Sequence, residues 1–401
     1  MLNYIDQAAS FLTALGLWAR RQGPQEGPAP YNVLRILVLG YAAIGDLIFL
    51  LPVLELLRRH YPQAKITFIA NRYPTTVELL PATWLVDDIW FSDWEGGLAR
   101  EERAGINRRI RQGRFDMALL SLSSPAHYFQ EGLASIPRRI GHCRPWPGLR
   151  RALITGEFSR RALLNGIAWV SSQPEHALKR NLKLLYPLGI AGPASWPRPR
   201  LPLSEKHRDA ARSLLNPAAG YKYAAVHVGA PNNQYGKMWE PDRFGELCSA
   251  LAQKRRFKFV LVGGPDEKAA AEAARKVFPD MISAAGQCSL LETFAVIEQC
   301  DLFLGNDTGL AKAAMLLGVP TATWWGPSDP VEYGVIWDEE KHLDIRTGIW
   351  CSPCARMGMP MQGVLNYTTC GHHDCLKKLD VEFALAAVLR KYSSLFGGAR
   401  S

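Results

Sequence analysis

Hydrophobic residues fall in short unbroken runs separated by longer mixed segments, and the two kinds alternate along most of the chain. Val33-Leu34-Arg35-Ile36-Leu37-Val38-Leu39 reads as a buried strand and Gly40 to Gly45 as a tight turn. Leu47 to His60 reads as a helix that Asp46 opens, with Pro52 early enough to be tolerated. Lys65 to Ala70 and Phe115 to Leu120 read as further strands, with arginine-rich helical material between them. A proline-rich stretch from Ala191 to Pro202 interrupts the pattern, which then restarts. Strands are expected over Tyr223 to Val228, Phe257 to Val262, Leu302 to Leu304 and Val319 to Trp325. Helices are expected over Asp242 to Lys254, Leu290 to Gln299 and Gly309 to Leu317. This is the alternation of α/β architecture, twice over, with a linker between. The expected organisation is an extension over residues 1–30, one doubly wound domain over 31–195 and a second over 196–401, with a cleft between the carboxyl ends of the two sheets.

Composition agrees with a folded two-domain chain. At 401 residues, 48% hydrophobic and 21% charged, it has the make-up of a globular protein and not of a disordered one. The formal net charge is +10. Two windows carry that excess: six Arg against Glu101 and Glu102 in residues 100–114, and seven Arg against Glu157 in residues 138–161. Such charge suits nucleic acid, an anionic membrane surface, an acidic substrate or simply solvated helix faces. Nucleic acid is disfavoured, because no helix-turn-helix, finger or ribonucleoprotein-type aromatic pattern surrounds the arginines. The longest strongly apolar run, Leu47 to Leu57, contains Pro52 and Glu55 and is too short to span a bilayer. Tyr4, Ile5, Ala8, Phe11, Leu12, Leu15 and Trp18 recur at helical spacing, but no basic residue precedes them as in a secretory signal. They read as an amphipathic helix, lying on a membrane surface or packed on its own domain. The expected compartment is the cytoplasm, where the eight cysteines would be thiols or metal ligands.

Three segments offer chemistry. In Gly40-Tyr-Ala-Ala-Ile-Gly45-Asp46 the glycine spacing is wrong for a dinucleotide, but Asp46 is a carboxylate at a helix start, suited to a general base or to a cap. His227-Val-Gly229-Ala followed by Lys237-Met-Trp239 places a lysine on a loop where it can neutralise a diphosphate. Gly305-Asn306-Asp307-Thr308-Gly309-Leu310 lies between a strand and a helix, so its amides and the Thr308 hydroxyl form an anion site.

In this order these segments resemble the heptosyltransferases of glycosyltransferase family 9. The resemblance extends to Leu51-Pro52, Ile136-Pro137-Arg138-Arg139-Ile140-Gly141, His176 with Arg180-Asn181, and Trp325-Gly326-Pro327-Ser328-Asp329-Pro330. It implies a GT-B fold of two Rossmann-like domains facing a central cleft, the acceptor bound in the N-terminal domain and the nucleotide sugar in the C-terminal one. The implied activity is inverting transfer of heptose from ADP-heptose to a lipopolysaccharide inner-core hydroxyl, with no cofactor needed for catalysis. Asp46 would be the base and Lys237 would stabilise the departing diphosphate. His227, Asn306, Asp307, Thr308, Gly309 and Leu310 would form the donor site, with Glu267 at the ribose and the Cys288 region at the adenine. Arg138 and Arg139 would meet an anionic glycolipid acceptor at the cytoplasmic face of the inner membrane. Many relatives carry histidine where this chain has Lys312, a fixed cation that would strengthen diphosphate binding or mark a different donor.

Cys351-Ser-Pro-Cys354 and Cys370-Gly-His-His-Asp-Cys375 hold half of the cysteines. Four thiolates so spaced suit a structural zinc or iron, and buried free thiols are the other reading. No Asp-x-Asp sugar-nucleotide motif is evident, consistent with metal-independent transfer. The other functional readings are a family member with a different nucleotide sugar, acting on another glycan or a protein, and a non-catalytic binding protein.

Overall fold

The computed structural model describes residues 33–40, 43–94, 97–121, 126–144, 157–192, 195–230, 235–355 and 370–396. The amphipathic segment in residues 1–30 lies outside them, as do Tyr41 and Ala42 of the glycine turn and Arg150 and Arg151 of the second arginine window. The chain divides into two compact units, Met1–Pro199 and Arg200–Ser401. Among the described residues no helix is long and apolar enough to cross a membrane.

The N-terminal unit is built on six parallel strands: β1 (Arg35–Leu39), β2 (Lys65–Ala70), β3 (Asp88–Phe91), β4 (Met117–Leu120), β5 (Arg138–Cys143) and β6 (Gly166–Trp169). They stand in the order β3-β2-β1-β4-β5-β6. Helices cover both faces of such a sheet, so its central strands are apolar without alternation, as in Arg35-Ile-Leu-Val-Leu39 and Met117-Ala-Leu-Leu120. The first helix, α1 (Ile44–His60), follows β1 and is buried almost throughout from Leu47 to Leu54. Its neighbour in sequence, α2 (Arg100–Gly113), buries only Asn107 and Ile110, so most arginines of the first basic window are exposed to solvent. Two shorter helices, α3 (Glu157–Leu163) and α4 (Ala177–Leu182), complete the elements used below.

The C-terminal unit repeats the plan with β7 (Lys222–His227), β8 (Phe257–Leu261), β9 (Ile282–Ser283), β10 (Leu302–Asn306), β11 (Thr321–Trp324) and β12 (His342–Ile345). Their order is β12-β11-β10-β7-β8-β9, all parallel, which is the same winding. The longer helices are α5 (Glu205–Leu215), α6 (Pro241–Ala252), α7 (Lys268–Val277), α8 (Leu290–Glu298), α9 (Gly309–Leu317) and α10 (Val381–Lys391). In each sheet the strand order reverses once, between β1 and β4 and between β7 and β10. Loops leaving the carboxyl ends there turn to opposite faces and open a crevice, where ligands of such sheets bind.

The strands read from sequence are present within a residue or two at either end. Five others, β3, β5, β6, β9 and β12, were not legible. They are four or fewer residues long or, in Arg138-Arg-Ile-Gly-His-Cys143, carry charge and glycine, so pairing to a neighbour and not apolar content defines them.

One buried group sets an acid limit on the N-terminal unit. His142 in β5 has no exposed surface, and its Nε2–H donates to the Arg180 carbonyl at 2.7 Å. Burial pushes its pKa down to about 3, helped by the charges of Arg180, Arg160 and Lys183 and opposed by that hydrogen bond. The unfolded chain protonates this imidazole near pH 6.5 and the folded chain does not, so stability is full above that value and falls on acidification. The loss should be about 1.4 kcal/mol per pH unit until the pH reaches the folded value. Urea unfolding across pH 7 to 4 should show this slope, and His142→Gln should show a shallower one.

Candidate active site

In the N-terminal unit the feature of interest is the turn after β1. Asp46 is half-buried in the first turn of α1, whose N-cap is Ala43. The carboxylate is therefore not the cap; it stands where the positive end of the helix favours an anion. Behind it the helix is pinned. Asn181 Nδ2 donates to the Phe49 carbonyl at 3.1 Å, and His176 packs edge-on against Phe49 with ring centroids 4.9 Å apart. His176 Nδ1 also accepts from the Leu178 amide and so caps α4. The His176 and Arg180-Asn181 motif thus fixes the helix that carries Asp46.

Arg138 and Arg139 open β5 at the amino end of the sheet, and the structure does not bring them to Asp46. The Arg138 guanidinium donates to the Pro187 carbonyl at 2.5 Å, and that of Arg139 to the carbonyls of Leu163 and Ile136. Other arginines of the same window lie at the carboxyl end. Arg144 follows β5, Arg160 Nη1 donates to the Ser121 carbonyl just beyond β4 at 3.1 Å, and Arg161 donates to the Arg144 carbonyl.

The C-terminal unit gathers its polar residues at the reversal between β7 and β10. His227 ends β7 and Asn306 ends β10, with Gly305 in register beside His227. Asn306 is fully buried. Its Nδ2 donates to the carbonyls of Val228 and Gly229 at 3.1 and 3.3 Å, and its Oδ1 accepts the Trp239 amide at 2.9 Å. Its side chain is thus engaged with three backbone groups of neighbouring loops. Trp239 points into the core, stacked on Trp324 at 5.1 Å and edge-on to Phe244 at 4.8 Å, and its Nε1 donates to the Leu379 carbonyl. It anchors the chain just after the Tyr235–Lys237 turn, which carries the half-buried Lys237.

His227 links two other residues named from sequence. Its Nε2 lies 2.9 Å from Glu267 Oε1 and its Nδ1 lies 3.0 Å from Thr308 Oγ1. Glu267 Oε2 accepts the Gly264 amide at 2.8 Å. The carboxylate fits because Gly229 and Gly263 have no side chain: a Cβ on either would stand 2.4 or 2.7 Å from its oxygens, and Gly263 has a φ of +155°. Burial raises the Glu267 pKa, but the charge and hydrogen bond of His227 and the Gly264 amide outweigh it and hold the carboxyl below its ordinary value.

Asp307 and Lys312 form a buried ion pair. Nζ lies 2.5 Å from Oδ1, and the two side chains are 4% and 8% exposed, which decides that this lysine is not a solvated cation. Lys312 Nζ also sits 4.3 Å from the Trp325 ring centroid, and Trp325 Nε1 donates to Asp344 at 2.7 Å. Burial raises the Asp307 pKa, but Lys312 and the charge of Lys237 outweigh it and keep the carboxyl low. Asp344 goes the other way, because burial there exceeds the help from Trp325, Lys312 and Arg346. Sequence reasoning gave no role to Trp325, Ser328 or Asp344. The Trp325 to Pro330 motif held the signal for two of them, and nothing local marked Asp344.

Thr308 is the N-cap of α9 by backbone position, yet its side chain makes no capping hydrogen bond to the helix, being held by His227. Leu310 is buried and Gly309 half-buried in the first turn of α9. Cys288 is half-buried just before α8; burial, then the Glu292 charge, raises its thiol pKa. The Gly286 amide donates to the Gly263 carbonyl at 2.9 Å and so ties the Cys288 turn to the loop that leads to Glu267.

Cys351, Cys354, Cys370 and Cys375 line one small pocket with His372, His373, Gly236 and Pro327. Among the described residues no group of His, Cys, Asp and Glu is closed up as a metal centre. Burial, then the neighbouring thiols, pushes Cys375 up to about 11 and raises Cys354. The Cys354 and Ala355 amides both donate to the Pro327 carbonyl, so the pocket is stapled to the loop that carries Ser328.

Residues 152–365 match the family described as Glycosyltransferase family 9 (heptosyltransferase). Lipopolysaccharide heptosyltransferase 2 of Salmonella typhimurium is 25% identical over 325 residues, covering 74% of this chain and 84% of that protein. The fold matches the structure of the E. coli ADP-heptose lps heptosyltransferase II with a TM-score of 0.65 at 20% identity, over 90% of this chain and 98% of that one. It also matches the iron-containing dodecameric glycosyltransferase TibC of enterotoxigenic E. coli, with a TM-score of 0.51 at 11% identity, over 90% of this chain and 77% of that one.

The buried pair makes a stability prediction. Lys312→Met leaves the Asp307 charge without its partner and should cost about 3–5 kcal/mol in urea unfolding with an unchanged m-value. The double variant Lys312→Met with Asp307→Asn should recover most of that loss.

Proposed function

The chain belongs to glycosyltransferase family 9, and on that premise we propose that it transfers heptose from ADP-heptose, with inversion, to an inner-core hydroxyl of a lipopolysaccharide acceptor. The observation that carries this reading is the grouping of Glu267, His227 and Thr308 at the reversal of the C-terminal sheet, beside the first turn of α9. In this reading Glu267 meets the ribose, the Cys288 turn the adenine and Asp307 the sugar hydroxyls. The diphosphate lies against Lys237, the Thr308 hydroxyl and the amides of Gly309 and Leu310, where the helix dipole and lysine charge favour an anion. Asn306 serves by holding the loops together, and Lys312 by holding Asp307.

The reaction then balances simply. The acceptor oxygen attacks the anomeric carbon while its proton passes to the Asp46 carboxylate. The bond from that carbon to the diphosphate oxygen breaks, and ADP departs with the electron pair, its charge taken up by Lys237, Thr308 and the α9 amides. We assign the anionic groups of the glycolipid to arginines of the N-terminal unit, with Arg144, Arg160 and Arg161 at the carboxyl end of the sheet and Arg138 and Arg139 farther off. The cytoplasmic membrane surface is the setting this acceptor requires.

Lys312 is the observation favouring a second donor. A buried lysine in place of the family's histidine alters the charge beneath the sugar-binding loop, as a different nucleotide sugar would require.

We assign a structural ion to the cysteine pocket, although its thiols are not closed up as a metal centre. Four thiols converge on it, the donor set of tetrahedral zinc or iron, and TibC, which shares the fold, is iron-containing. Cys351, Cys354, Cys370 and Cys375 would hold the ion, which would brace the Pro327 loop and take no part in transfer.

Three outcomes are expected. Asp46→Asn should bind ADP normally while turnover falls by about 100-fold or more, the lower range for loss of a general base. In a panel of ADP-, GDP-, UDP- and dTDP-sugars, ADP-heptose should give the largest thermal shift and the only product mass; another donor doing so would replace it. Elemental analysis of purified protein should find about one zinc or iron per chain, lost on paired Cys351→Ser and Cys354→Ser substitution.

A further inference from the structure

The contacts of His227 contain a choice that the transfer reaction does not itself explain. Its imidazole is 2% exposed and makes one hydrogen bond from each nitrogen, to Glu267 and to Thr308. Glu267, held in its low-pKa state by this neighbour and by the Gly264 amide, is a carboxylate and can only accept. Nε2 therefore carries a proton. The second nitrogen is then either bare or protonated, and Thr308 must answer in kind.

With a neutral imidazole, Nδ1 has only a lone pair, and Thr308 donates its single hydroxyl proton to it. The hydroxyl then offers nothing but lone pairs to a ligand. With an imidazolium, Nδ1–H donates to Thr308 Oγ1, and the hydroxyl proton is released to point elsewhere. A diphosphate at the first turn of α9 presents only acceptors and carries negative charge, so it is repelled by the first arrangement and bonded by the second. The position of Thr308 supports the same conclusion. A threonine at an N-cap ordinarily accepts an amide of its own helix, but here the side chain is turned to His227 and makes no such bond.

We infer that His227 is a positioning residue whose proton sets the direction of the Thr308 hydroxyl, so that a nucleoside diphosphate binds together with a proton. The inference rests on the donor-site reading above. Among the described residues, the charges on the elements around the imidazole are these. Glu267 comes from the turn after β8, and the loop after β10 brings Asp307, which Lys312 neutralises. Lys237, on the Tyr235–Lys237 turn, acts on Asp307. Lys222 is at the far end of β7, where it pairs with Asp301 at 2.6 Å. Among the described residues Glu267 is the charged group hydrogen-bonded to His227.

The probe is ADP, titrated calorimetrically into the full-length protein at about pH 8 in buffers of different ionisation enthalpy. At that pH a terminal phosphate, with its second pKa of about 6, is already ionised. The wild-type protein should take up about one proton per ADP, and its affinity should fall by about tenfold per pH unit as the pH rises. His227→Gln should bind with no uptake and a flat pH profile. Because that residue is buried, Thr308→Val provides the second arm: it leaves the imidazole in place, and should weaken ADP binding about tenfold and abolish uptake. Thr308→Ser should restore both. ADP binding without proton uptake in the wild type, or equal uptake in His227→Gln, overturns the inference while leaving the donor site standing. Failure of ADP to bind the wild type at all overturns the donor reading and the inference with it.

Discussion

A single buried amide, that of Asn306, ties together the loops on which the C-terminal site depends. The strand order reverses at this point, so the chain leaving β7 and the chain leaving β10 have no sheet partner to hold them in register. Asn306 supplies the missing bonds, donating to two carbonyls beyond β7 and accepting the amide of Trp239. Each group it satisfies is buried backbone that would otherwise lose its partner. The lysine turn before Trp239 and the chain leaving β7 are therefore tied to the end of β10 by one side chain, and the His227 contact to Thr308 ties the end of β7 to the start of α9.

On that frame the charges are arranged in pairs. Asp307 faces Lys312 and Glu267 faces His227. Pairing keeps both carboxylates ionised despite burial, at the cost of removing Lys312 from the surface. In the proposed reading the positive charge offered to a ligand is therefore that of Lys237 and the helix amides rather than of the buried lysine. Lys312, which reads in sequence as a cation that would strengthen diphosphate binding or mark a different donor, is held against Asp307 in the structure. The same division applies in the N-terminal unit, where Arg138 and Arg139 hydrogen-bond backbone carbonyls while Asp46 occupies the other end of the sheet.

The two sheets share one winding although their sequences show no repeat. The shared constraint is the right-handed crossover between parallel strands, which leaves few ways to wind six strands with helices on both faces. The cysteine pocket stands outside this scheme. It is attached through the Pro327 carbonyl to the loop that follows β11.

Much was legible from residue order alone. Apolar runs of four to seven residues between helical segments determine strands and helices because burial on both faces of a parallel sheet demands them. Asp46 and the Asn306 to Leu310 loop were legible because strand-to-helix turns at a reversal are fixed by local pattern. Short outer strands were not, since their partners and not their composition hold them in place. Nor were the pairings His227 with Glu267 and Thr308, Lys312 with Asp307 and Trp325, or Trp325 with Asp344. These join residues from different strands and loops, and a sequence records the type of each group but not which other group it will face once water has been excluded. That exclusion, achieved only in the folded unit, gave three of the residues expected at the donor, His227, Asn306 and Lys312, their hydrogen-bonded protein partners.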